Sequence, residues 1–316
     1  MSLIKRSYGV LLAASLALAL PAQDAVAFPD EGLGLIVAYG AGGGTDVTAR
    51  LLATDLAETL GQSVTVQNVT GGGGWNGWGT LAQSDPTGYT IGYINVPNLY
   101  AGILNPETPR EETLESYTPL MNHVTDYCVW AVRADSPYQS VADVIEAAKS
   151  QSLSLAAHGF GGDDHLAMIR MERMTDASFN VVHNNSTAIS LTQVLGGHVQ
   201  ILGANVSEVI AQAEAGELRI LGVMSNERSE FLPDVPTFKE QGFDQVWSVS
   251  RGIAGPAGLP ADVRQTLIDA LTETLNSDEH KAAAKQLGLA IEIIDGEDYS
   301  RFLSETQDEV KTLMGW

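Results

Sequence analysis

The chain has 316 residues, 44% of them hydrophobic and 18% charged; that is enough apolar material for a large core, excludes a disordered chain, and points to two domains rather than one. Its formal net charge of −22 disfavours nucleic acid and anionic lipid as partners, because a polyanion is repelled at long range. An anion must then be held by local donors, such as backbone amides at a helix N-terminus, and not by a general positive field.

Taken in chain order, Met1 to Ala27 reads as a secretory signal. Lys5 and Arg6 precede the apolar run Val10 to Leu20, and Ala25-Val26-Ala27 offers small residues to a signal peptidase. Cleavage is expected after Ala27, with a periplasmic mature protein. The run is about 11 residues against the roughly 20 needed to span a bilayer, so a membrane anchor is disfavoured.

After the signal, short apolar runs alternate with helical patterns, the mark of parallel sheets with crossover helices. Strands are expected at Gly34 to Tyr39, Val64 to Asn68, Tyr89 to Asn95, Tyr127 to Arg133, Leu153 to Ala157, Phe179 to His183, Val199 to Gly203, Arg219 to Met224, Val246 to Ile253 and Ala290 to Ile294. The clearest helix is Asp46 to Leu60, whose Ala49, Leu52, Ala53, Leu56, Ala57 and Leu60 fall on one stripe, with Thr45 or Asp46 to cap its start and Gly61 its end. Further starts are signalled by Ser140 with Asp143, by Ser207 before Glu208, and by Pro260 with Asp262. The Pro-rich Leu232 to Thr237 marks an irregular connection. The single cysteine, Cys128, lies in an apolar run and reads as a small core residue, which rules out an intrachain disulfide.

Three glycine loops carry the chemistry. Tyr39-Gly40-Ala41-Gly42-Gly43-Gly44-Thr45-Asp46 follows a strand and opens the strongest helix, so its N–H groups can converge on an anion. It lacks the last glycine of a dinucleotide fingerprint and the lysine of a phosphate loop. Asp46 with Arg50 reads as an ordinary i,i+4 pair. The second loop, Gly71 to Gly74 followed by Trp75-Asn76-Gly77-Trp78, again stands between strand and helix. The third is His158-Gly159-Phe160-Gly161-Gly162-Asp163-Asp164-His165; its titratable residues lack metal-ligand spacing, and a helix cap from Asp163 or Asp164 with a local hydrogen bond from His165 is the expected use. No nucleophile elbow is present. Neither a catalytic set, a metal nor a cofactor is expected.

These pieces together resemble one family, the substrate receptors of tripartite tricarboxylate transporters, the TctC or Bug type of periplasmic binding protein. The matching segments are Val37 to Asp46 with Ala49-Arg50, Leu60-Gly61-Gln62, Val66-Gln67-Asn68, Asp85 to Thr90, His165-Leu166-Ala167, Leu195 to Val199, Ala215 to Arg219, Asn226-Glu227-Arg228 and Leu232 to Thr237. The resemblance implies an α/β, two-lobe periplasmic-binding-protein type II (flytrap) fold, each lobe a mostly parallel sheet flanked by helices. It also implies lobe 1 from residues 28–124 and 225–316, and lobe 2 from residues 125–224. The family holds its ligand carboxylate mainly by backbone amides of the first loop and of a facing loop, here Tyr39 to Asp46 and His158 to Asp164. Two departures fall where specificity should lie: the proline usual at Ala38 is missing, and the usual Val-Pro-Tyr-Lys/Arg-Gly reads Val182-His183-Asn184-Asn185-Ser186.

The expectation is therefore a non-enzymatic, monomeric receptor for a small mono- or dicarboxylate, aromatic ones included, that serves the permease subunits of a tripartite tricarboxylate transporter. The alternative is the ligand-binding part of a membrane signalling sensor. Expected binding residues are Tyr39, Gly42, Gly43, Gly44, Thr45, Asp46, Gly73, Trp75, Asn95, His158, Gly159, Gly161, Asp163, His183, Asn184 and Asn205.

Overall fold

The computed structural model describes residues 28–316; the expected signal and its cleavage point at Ala27 lie outside the described residues. The chain begins as parallel α/β structure. Strand β1 (Leu33–Val37) leads through the first glycine loop into α1 (Gly44–Leu60), then β2 (Val64–Asn68), α2 (Trp75–Ala82), β3 (Thr90–Val96) and α3 (Asn98–Ile103). β1 pairs in parallel with both β2 and β3. Ala49, Leu52, Ala53 and Leu56 of α1 are buried, as their spacing requires, and Gly61 ends the helix in the left-handed conformation at φ 66°. Neither Thr45 nor Asp46 caps its start: the helix begins earlier, behind Gly43, and Asp46 turns back to accept from the Gly42 amide at 2.8 Å.

Strand β4 (Tyr117–Arg133) is 17 residues long, starting well before the expected Tyr127. Its first part, Tyr117 to Asp126, is rich in polar residues and so carries no apolar signature. It forms nonetheless because each buried polar group finds a partner: Asn122 donates to the Glu292 carbonyl at 2.6 Å and accepts from Ser250 at 2.5 Å. After β4 come α4 (Val141–Ala148), β5 (Leu153–His158), α5 (Asp163–Thr175), β6 (Phe179–Asn184), α6 (Thr187–Leu195), β7 (Ile201–Asn205), α7 (Val206–Glu214) and β8 (Leu218–Val223). The alternation of strand and helix then breaks. An irregular segment from Met224 to Trp247, which contains Leu232 to Thr237, leads to β9 (Ser248–Pro256), α8 (Ala261–Asn276), α9 (Asp278–Gln286), β10 (Ile291–Asp295) and α10 (Gly296–Met314).

The ten strands form one curled mixed sheet in the order β2-β1-β3-β9-β4-β7-β5-β6, with β8 and β10 also on β4. The outer ladders are parallel: β2-β1-β3 at one end, and β6-β5-β7 at the other. The antiparallel strands β4 and β9 join them. From Tyr117 to Tyr127, β4 pairs with β9, and from Cys128 to Arg133 with β7 and β8. At the change of partner the two crossing segments are stitched by backbone bonds: Cys128 to the Trp247 carbonyl, Met224 to the Cys128 carbonyl and Trp247 to the Met224 carbonyl, at 2.8–2.9 Å. Helices cover both lobes, the two-lobe α/β fold that the family resemblance implies. Trp78 and Trp130, both fully buried, belong to the main core.

A chain of hydrogen bonds crosses the core of the first lobe. Tyr93 Oη lies 2.7 Å from His123 Nδ1, His123 Nε2 lies 2.9 Å from His280 Nε2, and His280 Nδ1 lies 2.6 Å from an Asp55 oxygen. One arrangement satisfies every atom with neutral rings: the tyrosine donates to His123, His123 to His280 and His280 to Asp55. Burial, and then His280 and Arg251, hold His123 well below the usual imidazole range. It therefore stabilises the fold fully above about pH 6.5, and this contribution is lost as pH falls and the unfolded chain takes up a proton. His123→Leu should be less stable than the native chain at pH 8, by about 1–3 kcal/mol. The gap should narrow as pH is lowered from 7 to 5 in denaturant titrations; a constant gap would mean that His123 titrates freely in the folded protein.

Candidate functional site

The three glycine loops reach one cleft between the lobes. Gly42 turns the first loop with φ 80°, and Gly43 is the N-cap of α1. At Gly44 a side chain is excluded for a plain reason: a Cβ there would lie 2.4 Å from Arg251 Nη2. Across the cleft, β5 ends at His158 and α5 starts behind Gly162, so Gly162 and not Asp163 or Asp164 takes the N-cap position. His165 accepts from the Gly161 amide at 2.9 Å, the local bond that its position foreshadowed.

The lobes touch through polar pairs. The rings of Tyr39 and His158 meet edge-on with centroids 4.4 Å apart. Asn98 donates to Asp163 Oδ1 at 3.1 Å and accepts from the Asp163 amide at 3.2 Å. Asn205 Nδ2 donates to the other Asp163 oxygen at 2.8 Å. Asn205 also caps α7 in a box with Glu208, where the hydroxyl of Ser207 had been expected to cap; the Asn-x-x-Glu spacing is the one that reaches back to the cap amide. Glu208 accepts from the Asn205 amide at 3.1 Å and from the amide of Gly44, the first residue of α1, at 3.4 Å. A carboxylate of one lobe thus stands at the helix N-terminus of the other.

Beneath this contact lies a buried ion pair: Arg251 Nη2 is 2.8 Å from Asp126 Oδ2, both side chains 2% exposed. Asp126 also accepts from the Ser207 amide and hydroxyl. Burial raises the Asp126 and Glu208 carboxyls above their ordinary range, although Arg251 pulls both the other way. Burial, reinforced by Asp163 and Glu208, pushes Asp164 up much further.

Most of the expected binding residues fall into three adjoining spaces. Tyr39, Gly43, Gly44, Thr45, Asn95, His158, Asp163 and Asn205 line a central cavity of about 20 Å³, together with Asn98, Ser186, Thr187, Glu208, Val249 and Arg251. Gly42, Gly43 and Gly44 also face a second space of about 300 Å³, walled by Thr187, Leu191, Glu208 and Leu289. Gly73, Trp75, Gly159, His183 and Asn184 line a third, of about 320 Å³, with Arg110 and Phe160. Trp75 packs on Trp78 at 5.6 Å, and the Arg110 guanidinium lies 4.4 Å over its ring. Asp46 and Gly161 line none of these spaces. Asp46 is bound by Arg50, Asn68 and the Gly42 amide; burial opposes its ionisation, but those bonds outweigh it and hold the carboxyl below its usual range. Gly161 is pressed against Ala101.

Cys128, Asp163 and Asp164 bring potential ligand atoms within 4.8 Å of one another. They suit a metal poorly: burial pushes both the Cys128 thiol and the Asp164 carboxyl well up, which disfavours the deprotonated forms that a metal needs. Burial and the raised thiol likewise make Cys128 a poor nucleophile. Sequence reasoning missed Glu208, Asp126 and Arg251. A signal was there for Arg251, the lone charge inside the expected strand Val246 to Ile253, since such a charge has to find a buried partner.

A cleft between two α/β lobes, faced by a glycine-rich helix N-terminus, defines a solute-binding protein of the two-lobe class. The model of the tripartite tricarboxylate transporter family receptor matches residues 48–315, and the chain belongs to that family. It is 29% identical over 255 residues to Protein BugT of Bordetella pertussis, covering 79% of this chain and 78% of BugT. The structure of the periplasmic binding protein BugD superposes with a TM-score of 0.84 at 26% identity, over 91% of this chain and 98% of BugD. Rpa4515 of R. palustris, solved with adipate, shares the fold with a TM-score of 0.84 at 24% identity, over 91% and 98% of the two chains.

Arg251→Met leaves the Asp126 carboxylate buried without its cation. It should cost about 3–5 kcal/mol in denaturant unfolding. Adding Asp126→Asn should recover much of that loss. A single variant no worse than an ordinary surface substitution would show that Asp126 is held neutral without the arginine.

Proposed function

We propose that the protein is a periplasmic receptor that closes on a small organic carboxylate between its lobes and releases it unchanged to the permease subunits of a tripartite tricarboxylate transporter. One observation carries the reading: the first amide of α1 already holds a carboxylate, that of Glu208, across the cleft. A helix N-terminus that attracts one carboxylate in so acidic a chain is an anion site made of peptide N–H groups. A ligand carboxylate fits beside it, where Gly42, Gly43 and Gly44 face the space of about 300 Å³, within the usual size of small-molecule sites. The adipate held by the same fold in Rpa4515 supports the chemistry.

Residues 28–124 with 225–316 serve as one lobe and residues 125–224 as the other, a division supported by the exchange of β4 partners at Tyr127 and Cys128. Closure is then a population shift, driven by contacts that the ligand makes with both lobes at once. Trp75, His183 and Asn184 bear on the far end of a longer ligand, from the third space. No described helix is long and apolar enough to cross a membrane, and docking to the permease falls to the folded lobes.

Calorimetry of the mature chain against mono- and dicarboxylates should find at least one that binds and is recovered intact. Gly42→Val, which forces a branched side chain to φ 80°, should weaken that ligand by about tenfold or more by turning the loop amides. Stabilisation by sugars or peptides alone, with none by any carboxylate, would refute the reading.

A further inference from the structure

Charge is spread unevenly over the chain. Although 18% of all residues are charged, no Asp, Glu, Lys or Arg occurs from Gly61 to Ser84, nor from Ala177 to Ser207. The first stretch holds β2, the second glycine loop and α2; the other holds β6, α6 and β7. β2 and β6 are the two ends of the sheet, where proteins ordinarily set charges to keep foreign strands from pairing. Here both edges are bare, Val-Thr-Val-Gln-Asn in β2 and Phe-Asn-Val-Val-His-Asn in β6. Charged side chains that reach these edges from other elements are already engaged. Glu172 accepts from the Phe179 amide at 2.8 Å, and Arg50 pairs with Asp46 at 2.9 Å and donates to Asn68 at 3.2 Å.

The two bare edges end at the same place. Gly72, Gly73 and Trp75, just after β2, and His183, Asn184 and Asn185, at the end of β6, line the third space together. No carboxylate is among its described lining residues, and its one guanidinium, that of Arg110, lies over the Trp75 ring. Phe160, another of those residues, is 53% exposed, and Ile189 on α6 is 46% exposed. Uncharged backbone edges with large exposed apolar side chains beside them have the composition of a protein interface, whose core is depleted of Asp, Glu and Lys. Charge then selects the occupant. A second copy would bring another −22 to the contact, whereas a permease has to be approached at a membrane whose anionic lipid repels this chain wherever acids lead. Screening confines that repulsion to roughly 8 Å at physiological salt, so an acid-free face can come close where the rest of the surface cannot.

We infer that the permease subunits dock on the uncharged face made by β2, the second glycine loop, β6 and α6, astride the mouth of the third space. This rests on the receptor reading above and adds where the partner sits. Because the face draws on both lobes, its shape follows the cleft, and a partner seated there can tell the closed receptor from the open one.

The experiment is co-sedimentation of the mature chain, saturated with the tightest-binding member of the carboxylate panel, with vesicles of phosphatidylethanolamine and phosphatidylglycerol that carry its permease subunits. The same vesicles without those subunits are the blank. Thr70→Glu beside the second glycine loop, Asn180→Glu on β6 and Ile189→Glu on α6 each replace an exposed residue. Each should weaken docking by about tenfold or more while the carboxylate Kd from calorimetry stays within about threefold. Ser300→Glu and Ser304→Glu, exposed on α10, add the same charge elsewhere and should leave docking within about threefold; circular dichroism checks that all five variants fold. Unchanged docking of the three face variants, an equal loss in the α10 pair, equal binding to the blank vesicles, or no docking of the native chain overturns the inference. A native dimer in analytical ultracentrifugation that the face variants split overturns it too, since the face then joins two copies. In each of these cases a carboxylate that still binds leaves the receptor reading standing, whereas a native chain that binds no carboxylate overturns both.

Discussion

Arg251 is a guanidinium with 1% exposure, and much of the cleft is organised around the cost of keeping it there. A cation withdrawn from water needs a partner at close range and further acceptors for its remaining N–H groups. Asp126 supplies the first from the neighbouring strand, and the hydroxyls of Thr48 and Ser207 lie at 3.4–3.5 Å. The guanidinium also dictates its surroundings. It occupies the space that a side chain at residue 44 would need, so the start of α1 stays bare of Cβ atoms and its backbone stays open to the cleft.

That bare backbone explains how a chain of formal charge −22 offers a place for a carboxylate at all. The long-range field is repulsive, but partial charges on a few peptide N–H groups act within one helical turn and are little screened between two lobes. Glu208 shows the force directly, since its carboxylate crosses from α7 to the first amide of α1. The acidic groups of the cleft thus differ in setting: Asp126 is paired with Arg251, burial raises Asp164 well above the usual carboxylate range, and Asp163 and Glu208 line the cavity.

Much of the architecture was legible because apolar period and glycine punctuation are local signals. Val64 to Asn68 and the stripe of α1 follow directly from them. The first part of β4 was not legible, because its stability comes from partners distant in sequence, such as Asn122 with Glu292 and Ser250. The cleft divides in the same manner. Glycine loops announce where backbone can approach a guest, so Gly42 to Thr45 and His158 to Asp163 stood out. Glu208, Asn98 and Arg251 act by meeting residues of other segments, and no spacing along one segment encodes a meeting between two. Asp46 was drawn into the expected site by its place in the loop, whereas its side chain serves Gly42, Arg50 and Asn68.

Strand β4 has a mechanical consequence. Its 17 residues reach roughly 55 Å at the rise of an extended strand, and each end is clamped in a different ladder. On the closure proposed above, such a strand would serve as a torsion bar, spreading small dihedral changes along its length while both ladders stay paired. Under that proposal the resting position would depend on a handful of contacts across the cleft. Tyr39 on His158, Asn98 on Asp163 and Gly44 on Glu208 are each worth about 0.5–1.5 kcal/mol. In the proposed receptor, a small guest with a few good bonds would then decide whether the cleft stands open or shut.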